Sequence, residues 1–372
     1  MVGSRIEELK AMPYDEYLQT PEWSEKREKA LRRAEHRCQI CNSSGFLHVH
    51  HRTYENRGDE RLEDLAVLCE DCHKLYHYKD SVECRTLPIE ECVKQVYTHL
   101  EYTYSTGEMT GVSTGFVDLD RQLGGLQRSD FIIIPARPSV GKTSLCLSIG
   151  RNAARHGQHV AIFSLEMSTE QVVQGMVATE TGIDAWRLRL GNLQEDEWHL
   201  VTQATGKLAD LPVFIDDTPS ISDLQLRAKA HDLHAKHGLD LVIVDYLQLM
   251  TSDTRFGSRF EEVSHISRSL KALARELGVP VVATSQLSRA VEQRTDKRPL
   301  LRDLRESGSL EEDADVVILM YRDELYHPDT EKQHIADIIV AKHRNGPTGI
   351  LQLFFRDRLS QFLDAAICKS GN

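Results

Sequence analysis

The chain has 372 residues and a mass of 42.3 kDa, enough for two or more domains. Apolar residues make up 40% and charged residues 27%, which excludes a disordered chain. The formal net charge is -12, so the surface as a whole is not suited to coating nucleic acid. No apolar run approaches the length of a membrane span or forms a secretory signal, so we expect a cytoplasmic protein with no membrane partner.

The first 80 residues are polar and contain two C-x-x-C pairs, Cys38 with Cys41 and Cys69 with Cys72. In a reducing cytosol, such pairs favour a metal site over disulfide bonds. Four thiolates at this spacing suit one tetrahedral structural Zn²⁺. The sequence therefore predicts a zinc site in the N-terminal region.

Histidines lie beside these cysteines in a pattern that predicts a second metal. His50 and His51 end the predicted strand FLHVHH and point to opposite faces of it. His73 and His77 lie four residues apart on the predicted helix CEDCHKLYH and share one face. Because Cys72 and His73 point about 100° apart on a helix, they can serve two different ions.

The segment HHRTYENRGDERLEDLAVLCEDCHKLYH and its lead-in YDEYLQTPEWSEKREKALRRAEHRCQIC resemble the HNH, or ββα-metal, endonucleases. The resemblance implies that one divalent ion is held on the scissile phosphate by three ligands: His50, His73 and His77. It implies that His51 is the general base for the attacking water. Asp64 stands where the motif has asparagine, and its carboxylate can accept a hydrogen bond from the imidazole. The alternative is a zinc module without catalysis that binds DNA or assists assembly.

The region between residues 86 and 112 is predicted to be a helical linker. Residues 88–104 place apolar side chains at helical spacing, and the polar, glycine-containing stretch STGEMTGVSTG follows. The predicted organisation is therefore an HNH-like zinc domain at 1–85, this linker, and a motor domain at 113–372.

The rest of the chain alternates between apolar runs and amphipathic stretches. The runs are predicted strands at 131–134, 159–163, 212–215, 241–244, 279–283, 315–320 and 335–341. The stretch FEEVSHISRSLKALARELG is a typical helix between them, with one face predicted to lie in the core: Phe260, Val263, Ile266, Leu270, Leu273 and Leu277. Near-continuous apolar strands joined by helices predict an α/β fold with a mostly parallel sheet.

The segment ARPSVGKT follows the strand FIIIP and opens a helix, which is the arrangement of a phosphate-binding P-loop. Lys142 would reach the terminal phosphates of ATP, and the Thr143 hydroxyl would bind Mg²⁺. Ala136 occupies the place of the usual first glycine. The predicted nucleotide-binding residues are Ala136, Ser139, Gly141, Lys142, Thr143, Ser144 and Asp245.

Two carboxylates follow predicted parallel strands, where side chains point into the ligand crevice. Asp245 ends LVIVD and would hold Mg²⁺ through water, whereas Glu166 follows VAIFS and would orient or deprotonate the attacking water. The sequence therefore predicts an ATPase.

From TGFVDLDRQLGGL to the C-terminus, the chain resembles the motor domain of DnaB-type replicative helicases, which are RecA-like ATPases that form hexameric rings. The matching segments include SLEMS, VDYLQLM, VVATSQ, RESG and AKHRNGPTG. The resemblance implies that Gln286 senses the γ-phosphate. It also implies that Lys342 and Arg344 reach the ATP of the neighbouring subunit, where a guanidinium stabilises the transferred phosphoryl group.

The resemblance further implies contacts with DNA phosphates through RESG, at Arg305, Glu306 and Gly308, within the basic segment 288–308. The expected partners are single-stranded and duplex DNA and further copies of the chain. The predicted function is an ATP-dependent DNA helicase or translocase with an appended metal-dependent HNH endonuclease that cleaves DNA. Two rival functions remain open. One is a replicative helicase of a phage or mobile element with a zinc module that only binds DNA or assists assembly. The other is a DNA-cutting effector, for example in antiviral defence, whose motor positions the nuclease.

Overall fold

The computed structural model describes residues 2–40, 42–52, 56–70, 72–73, 88–107, 109–307 and 309–365, and the statements below concern these residues. The chain forms two compact units, Met1–Cys92 and Val93–Asn372, here called the N-terminal and C-terminal units. Within the described ranges, no helix is both long and apolar enough to cross a membrane.

The N-terminal unit packs three helices beside a β-hairpin. The helices are α1 (Val2–Ala11), α2 (Tyr14–Tyr17) and α3 (Pro21–Arg33), and the strands are β1 (Leu47–His51) and β2 (Leu65–Cys69). Helix α3 begins where Thr20 accepts a hydrogen bond from the Trp23 amide, with proline in the first helical position. The strands are antiparallel, with His51 opposite Leu65. Residues 72 and 73 are helical, as predicted.

Helix α4 (Ile89–Thr106) confirms the helix predicted over residues 88–104, and the sequence boundary between the two units falls within it. Its apolar side chains are exposed, Val93, Val96, Tyr97 and Leu100 by 58–66%.

Among the described residues of the C-terminal unit, nine strands form one sheet in the order β11-β10-β9-β8-β3-β7-β6-β4-β5. Their bounds are β3 (Phe131–Ala136), β4 (Val160–Ser164), β5 (Val213–Asp216), β6 (Leu241–Asp245), β7 (Val281–Gln286), β8 (Val316–Arg322), β9 (Ile335–His343), β10 (Gly349–Arg356) and β11 (Gln361–Asp364). Strands β3 to β8 are parallel, and β9, β10 and β11 extend the sheet in antiparallel fashion. The seven predicted strands correspond to β3–β9.

Helices cover both faces of this sheet. They are α5 (Val117–Leu123), α6 (Lys142–Arg155), α7 (Thr169–Thr181), α8 (Ala185–Arg189), α9 (Trp198–Ala209), α10 (Asp223–His237), α11 (Arg259–Leu277) and α12 (Leu310–Asp313). One apolar cluster joins the sheet to α6, and another joins it to α11. The predicted core face of α11 is buried except at Phe260, which is 53% exposed, so that part of the prediction is wrong. Phe260 is the second residue of the helix.

The two edges of the parallel sheet carry different groups. Ala136 pairs with Gln286 at the carboxyl ends of β3 and β7, and Ser164 pairs with Asp245 at the ends of β4 and β6. At the amino ends, the Phe131 carbonyl accepts a hydrogen bond from the Asp315 amide. The antiparallel β9 therefore delivers its last residues to the amino edge, away from the phosphate loop.

Candidate nucleotide and metal sites

The loop between β3 and α6 has the backbone shape of a phosphate-binding loop. Gly141 has a φ of +108°, and a Cβ there would lie 3.1 Å from Phe362 Cζ, so the position requires glycine. Ser139 also lies in the left-handed region, with a φ of 68°. Ala136 is fully buried, and its carbonyl accepts from the Leu287 amide at 3.2 Å. The side chain at position 136 therefore packs in the core rather than facing a ligand.

Four predicted side chains meet at the start of α6. Lys142 Nζ lies 3.0 Å from Glu166 Oε2 and 3.4 Å from Asp245 Oδ1, and 4.1 Å from the centre of the Tyr246 ring. The Thr143 hydroxyl donates to Asp245 Oδ2 at 2.6 Å. A threonine hydroxyl beside a carboxylate is the oxygen pair that holds Mg²⁺ in P-loop proteins. The donor set therefore fits Mg²⁺ and a polyphosphate.

The same side chains border a cavity of about 430 Å³. Its lining includes five of the seven predicted nucleotide-binding residues: Ser139, Gly141, Lys142, Thr143 and Ser144. It also includes two of the predicted catalytic residues, Glu166 and Gln286. A second cavity, of about 220 Å³, begins at Thr143 and Ser144 and extends between α6 and α7. The structure thus brings together at one edge the groups that the sequence placed in the nucleotide site.

Gln286 is linked to the end of β6 by a residue that the sequence analysis missed. The Gln248 side chain accepts from the Gln286 amide at 3.2 Å and donates to the Ser285 hydroxyl at 2.8 Å. Gln248 lies within VDYLQLM, three residues after Asp245. Its closeness in sequence to a predicted site residue could have indicated that it belongs to the site.

Lys342 and Arg344 lie at the opposite edge of the sheet. The Arg344 amide donates to the Asp315 carbonyl at 2.8 Å, and the Asp315 amide donates to the carbonyl of Phe131, the first residue of β3. The phosphate loop begins only after Ala136, the last residue of β3. These six residues span about 16 Å, which is longer than an arginine side chain.

The basic segment before α12 contributes part of its charge to internal ion pairs. Arg294 pairs with Asp303 at 2.9 Å and Arg298 with Asp337 at 2.5 Å, whereas Arg302 is exposed. Of the predicted DNA contacts, Arg305 and Glu306 lie on the 3-10 segment Leu301–Ser307, where only their backbone is described, and Gly308 lies outside the described residues.

The N-terminal unit gathers three of the four predicted zinc ligands. The sulfur atoms of Cys38, Cys69 and Cys72 all lie within 4.8 Å of one another. Cys41 is among the residues that the structure does not describe. Thiolates bound to one Zn²⁺ at about 2.3 Å have sulfurs slightly less than 4 Å apart, so the arrangement fits this ion.

A histidine face lies on β1. The His50 and His73 rings have centres 5.2 Å apart and are nearly perpendicular, and His48 stacks on His73 with centres 4.5 Å apart. His77 is outside the described residues. His48 was not among the predicted site residues, although strand alternation places it on the same face as His50.

His51 points to the other face, which is covered by protein. Its side chain is 0% exposed, stacks on Trp23 with ring centres 4.5 Å apart, and contacts Tyr14 Oη through Nδ1 at 3.1 Å. Its Nε2 lies 3.1 Å from Glu60 Oε1. A general base must reach water at a phosphate, and this position does not suit that predicted role.

The structure brings Glu60, rather than Asp64, to His51. Burial would raise the pKa of Glu60, but hydrogen bonds from His51 and Tyr17 outweigh it and hold that pKa at about 2. The Asp64 carboxylate instead accepts from the Asn56 side chain at 3.1 Å and the Arg61 amide at 2.9 Å. Asp64 therefore fastens the hairpin loop.

A phosphate loop on a mostly parallel sheet, with one carboxylate just after β4 and another at the last residue of β6, defines the C-terminal unit as a RecA-like P-loop ATPase. Residues 111–364 match the family described as DnaB-like helicase C terminal domain. The chain therefore belongs to the DnaB-like helicase family. Residues 38–79 match the HNH endonuclease family.

Individual relatives agree with this assignment. The chain is 50% identical over 279 residues to the replicative DNA helicase DnaB of Geobacillus stearothermophilus, and 48% identical over 279 residues to the replicative DNA helicase DnaC of Bacillus subtilis. Each match covers 74% of this chain and 62% of the relative. The chain thus spans less than two thirds of these relatives.

Solved structures show the same similarity. An ATPase domain superposes with a TM-score of 0.72 at 38% identity, covering 74% of this chain and 98% of that one. A DnaB-like replicative helicase, studied with its primase interactions, superposes with a TM-score of 0.69 at 37% identity, covering 78% of this chain and 70% of that one.

Proposed function

We propose that the C-terminal unit is the motor of a DNA helicase that hydrolyses ATP in a ring, with each nucleotide site shared between two subunits. Lys142, with the loop amides, binds the phosphates of ATP, and Thr143 and Asp245 hold Mg²⁺. Bound Mg²⁺ neutralises charge on the phosphates. Glu166 orients the attacking water and accepts its proton, for which its half-exposed carboxylate is available.

The position of Arg344 carries the proposal of a ring. The Arg344 backbone is fixed at the amino edge of the sheet, about 16 Å from the phosphate loop of the same chain. A cationic finger so placed can complete only the site of a second subunit, which a closed ring supplies for every copy. The exposed apolar face of α4 provides a surface that a neighbouring subunit can cover.

The DNA strand is proposed to contact the segment before α12, through Arg305, Glu306 and Gly308, with exposed Arg302 nearby. Such contacts with phosphates are independent of base sequence and weaken with salt. Similarity to replicative helicases supports single-stranded and duplex DNA as the substrates.

The motor is tested by measuring ATP hydrolysis and strand separation on a forked duplex. We expect hydrolysis to rise with single-stranded DNA, and Lys142→Ala to abolish both activities while native mass spectrometry still detects the ring. Glu276→Gln, which removes an ion pair with Arg227 away from the site, is the control. Hydrolysis that is indifferent to DNA, or a strictly monomeric protein, would refute the proposal.

The second activity in this proposal is metal-dependent cleavage of DNA by the N-terminal unit, supported by the HNH family match. His50, His73 and His77 hold the divalent ion, which stabilises charge on the scissile phosphate. Because His51 is buried, the half-buried His48 takes the role of general base from the same face of β1. Cys38, Cys41, Cys69 and Cys72 hold the structural Zn²⁺.

Nicking of supercoiled plasmid with Mn²⁺ or Mg²⁺, beside calorimetric titration of Mn²⁺, tests this activity. We expect His50→Ala to lose both nicking and Mn²⁺ binding, and His48→Ala to lose nicking but keep the ion. Lys142→Ala should still nick. His51→Ala should lower the unfolding temperature of the N-terminal unit. No cleavage with any metal would favour the zinc module that only binds DNA or assists assembly.

A further inference from the structure

Lys342 and Arg344, here called the finger pair, are held by the backbone of the short helix α12. Lys342 Nζ donates to the Glu311 carbonyl at 2.6 Å and the Glu312 carbonyl at 3.3 Å, and Arg344 Nη2 donates to the Glu312 carbonyl at 3.2 Å. Both carbonyls belong to α12, and the last carbonyls of a helix lack partners within it. The two cations therefore satisfy acceptors at the carboxyl end of α12.

Asp315 connects this grip to the sheet. Its side chain is 5% exposed, and Oδ2 accepts from the Phe131 amide at 2.8 Å and from Lys271 Nζ at 2.5 Å. The other oxygen, Oδ1, lies 3.4 Å from Arg344 Nη1. A buried carboxylate with two hydrogen-bond donors and a further ion pair is held rigidly, because displacing it would leave a charge unpaired.

Helix α12 also follows the segment proposed to contact DNA. The 3-10 segment Leu301–Ser307 ends two residues before Ser309, whose hydroxyl donates to Asp313 Oδ2 at 2.5 Å. Ser267 on α11 donates to the same oxygen at 2.7 Å. A displacement of the DNA segment would therefore act on the helix whose carbonyls hold the finger pair.

We propose that Asp315 and the carbonyl end of α12 are positioning groups for Lys342 and Arg344, through which DNA bound at Leu301–Ser307 sets the rate of hydrolysis at the neighbouring subunit's ATP. This inference rests on the proposed function of the motor. The carbonyls of α12 and the carboxylate of Asp315 hold the finger pair at the amino edge of its own sheet. Movement of α12 with the DNA segment changes the direction in which the two cations point. Neither positioning group contacts the nucleotide of its own chain, since both lie at the amino edge.

The test uses Asp315→Asn in the full chain, with Glu276→Gln as the matched ion-pair control on α11. We expect kcat with single-stranded DNA to fall by about tenfold to a hundredfold, the size of effect that a displaced catalytic group produces. KM for ATP and the Kd for oligo(dT) should stay within about twofold, because the lost interaction acts in the transition state. Stimulation by DNA should fall towards unity.

Subunit mixing separates positioning from a general structural defect. Asp315→Asn subunits retain an intact phosphate loop, so mixing them with Lys142→Ala subunits should restore hydrolysis at mixed interfaces. Ser267→Ala removes the hydrogen bond from α11 to Asp313 of α12, and alanine is well tolerated in a helix. This variant should give a weaker defect that is rescued in the same way.

Unchanged kcat in Asp315→Asn, or a loss in Asp315→Asn that mixing does not rescue, would overturn the inference. The proposed motor function fails separately, when mixing Arg344→Ala with Lys142→Ala gives no rescue. Rescue of Arg344→Ala without rescue of Asp315→Asn would refute only the positioning role.

Discussion

Mixing two inactive variants tests whether the nucleotide site is shared between subunits. Lys142→Ala removes the ammonium that lies between Glu166 and Asp245 but leaves the finger pair at the other edge of the sheet. Arg344→Ala does the converse. A ring assembled from both variants contains some interfaces at which an intact phosphate loop meets an intact finger.

The expected recovery follows from the arrangement. In an equimolar random ring, about one interface in four pairs an Arg344→Ala phosphate loop with a Lys142→Ala finger. Arg344→Ala alone should retain about 10⁻³ of wild-type hydrolysis or less, because a finger is worth about 10³ to 10⁵ in rate, and Lys142→Ala alone should be inactive because its phosphate loop lacks the lysine. The mixture should therefore recover up to about a quarter of wild-type hydrolysis, if interfaces act independently.

The assay is steady-state ATP hydrolysis with saturating single-stranded DNA after subunit exchange, with native mass spectrometry to establish mixed rings. Activity should follow a parabola in the fraction of either variant, with its maximum at equal amounts. Lys142→Ala mixed with the double variant K142A/R344A is the control and should stay inactive. Activity no greater than the sum of the separate variants, in rings shown to be mixed, would refute a finger that acts between subunits.

Further predictions concern backbone shape, protonation and metal. Gly141→Ala should weaken ATP binding at least tenfold by equilibrium titration, because its Cβ would crowd Phe362 at a φ of +108°; unchanged affinity would contradict this strain. Burial, together with the charge of Asp315, raises the pKa of Asp130 to about 6, above its unfolded value of 3.8. The stability linked to this raised pKa is present below pH 3.8 and is lost as pH rises through 6. Asp130→Asn should therefore stabilise the C-terminal unit against urea by up to about 3 kcal/mol at pH 8, and by little at pH 4. Equal gains at both pH values would exclude this cause. Removal of Zn²⁺ by a chelator should lower the unfolding temperature of the N-terminal unit, and Cys72→Ser should reproduce the effect in calorimetry; a chelator without effect would argue against the zinc site.

The parallel part of the sheet was predictable because its strands, apart from the partly buried edge strand β5, are buried on both faces and appear as continuous apolar runs. The last two strands were missed for the opposite reason. Strand β10 alternates between buried and partly exposed residues along GILQLFFR, and β11 has only four residues. Alternation of this kind indicates a strand with one covered face. The strands were predicted from continuous apolar runs, which β10 does not contain.

The histidine pair shows where local rules stop. Alternation along β1 correctly places His50 and His51 on opposite faces, but it does not say which face the rest of the chain covers. That depends on Tyr14 and Trp23, which reach His51 from helices more than 25 residues earlier in the sequence. Glu60 was equally hidden, since its partnership with His51 is formed by the return of a loop rather than by spacing.

The separation of the phosphate loop and the finger pair onto opposite edges of one sheet has a genetic consequence. In the ring proposed above, each copy of the chain would contribute half of two different catalytic centres, so a copy with a damaged finger would inactivate the site of its neighbour while its own phosphate loop stays competent. Defective alleles expressed beside the intact gene should therefore be dominant negative. Their severity should grow with the proportion of the defective product in the cell.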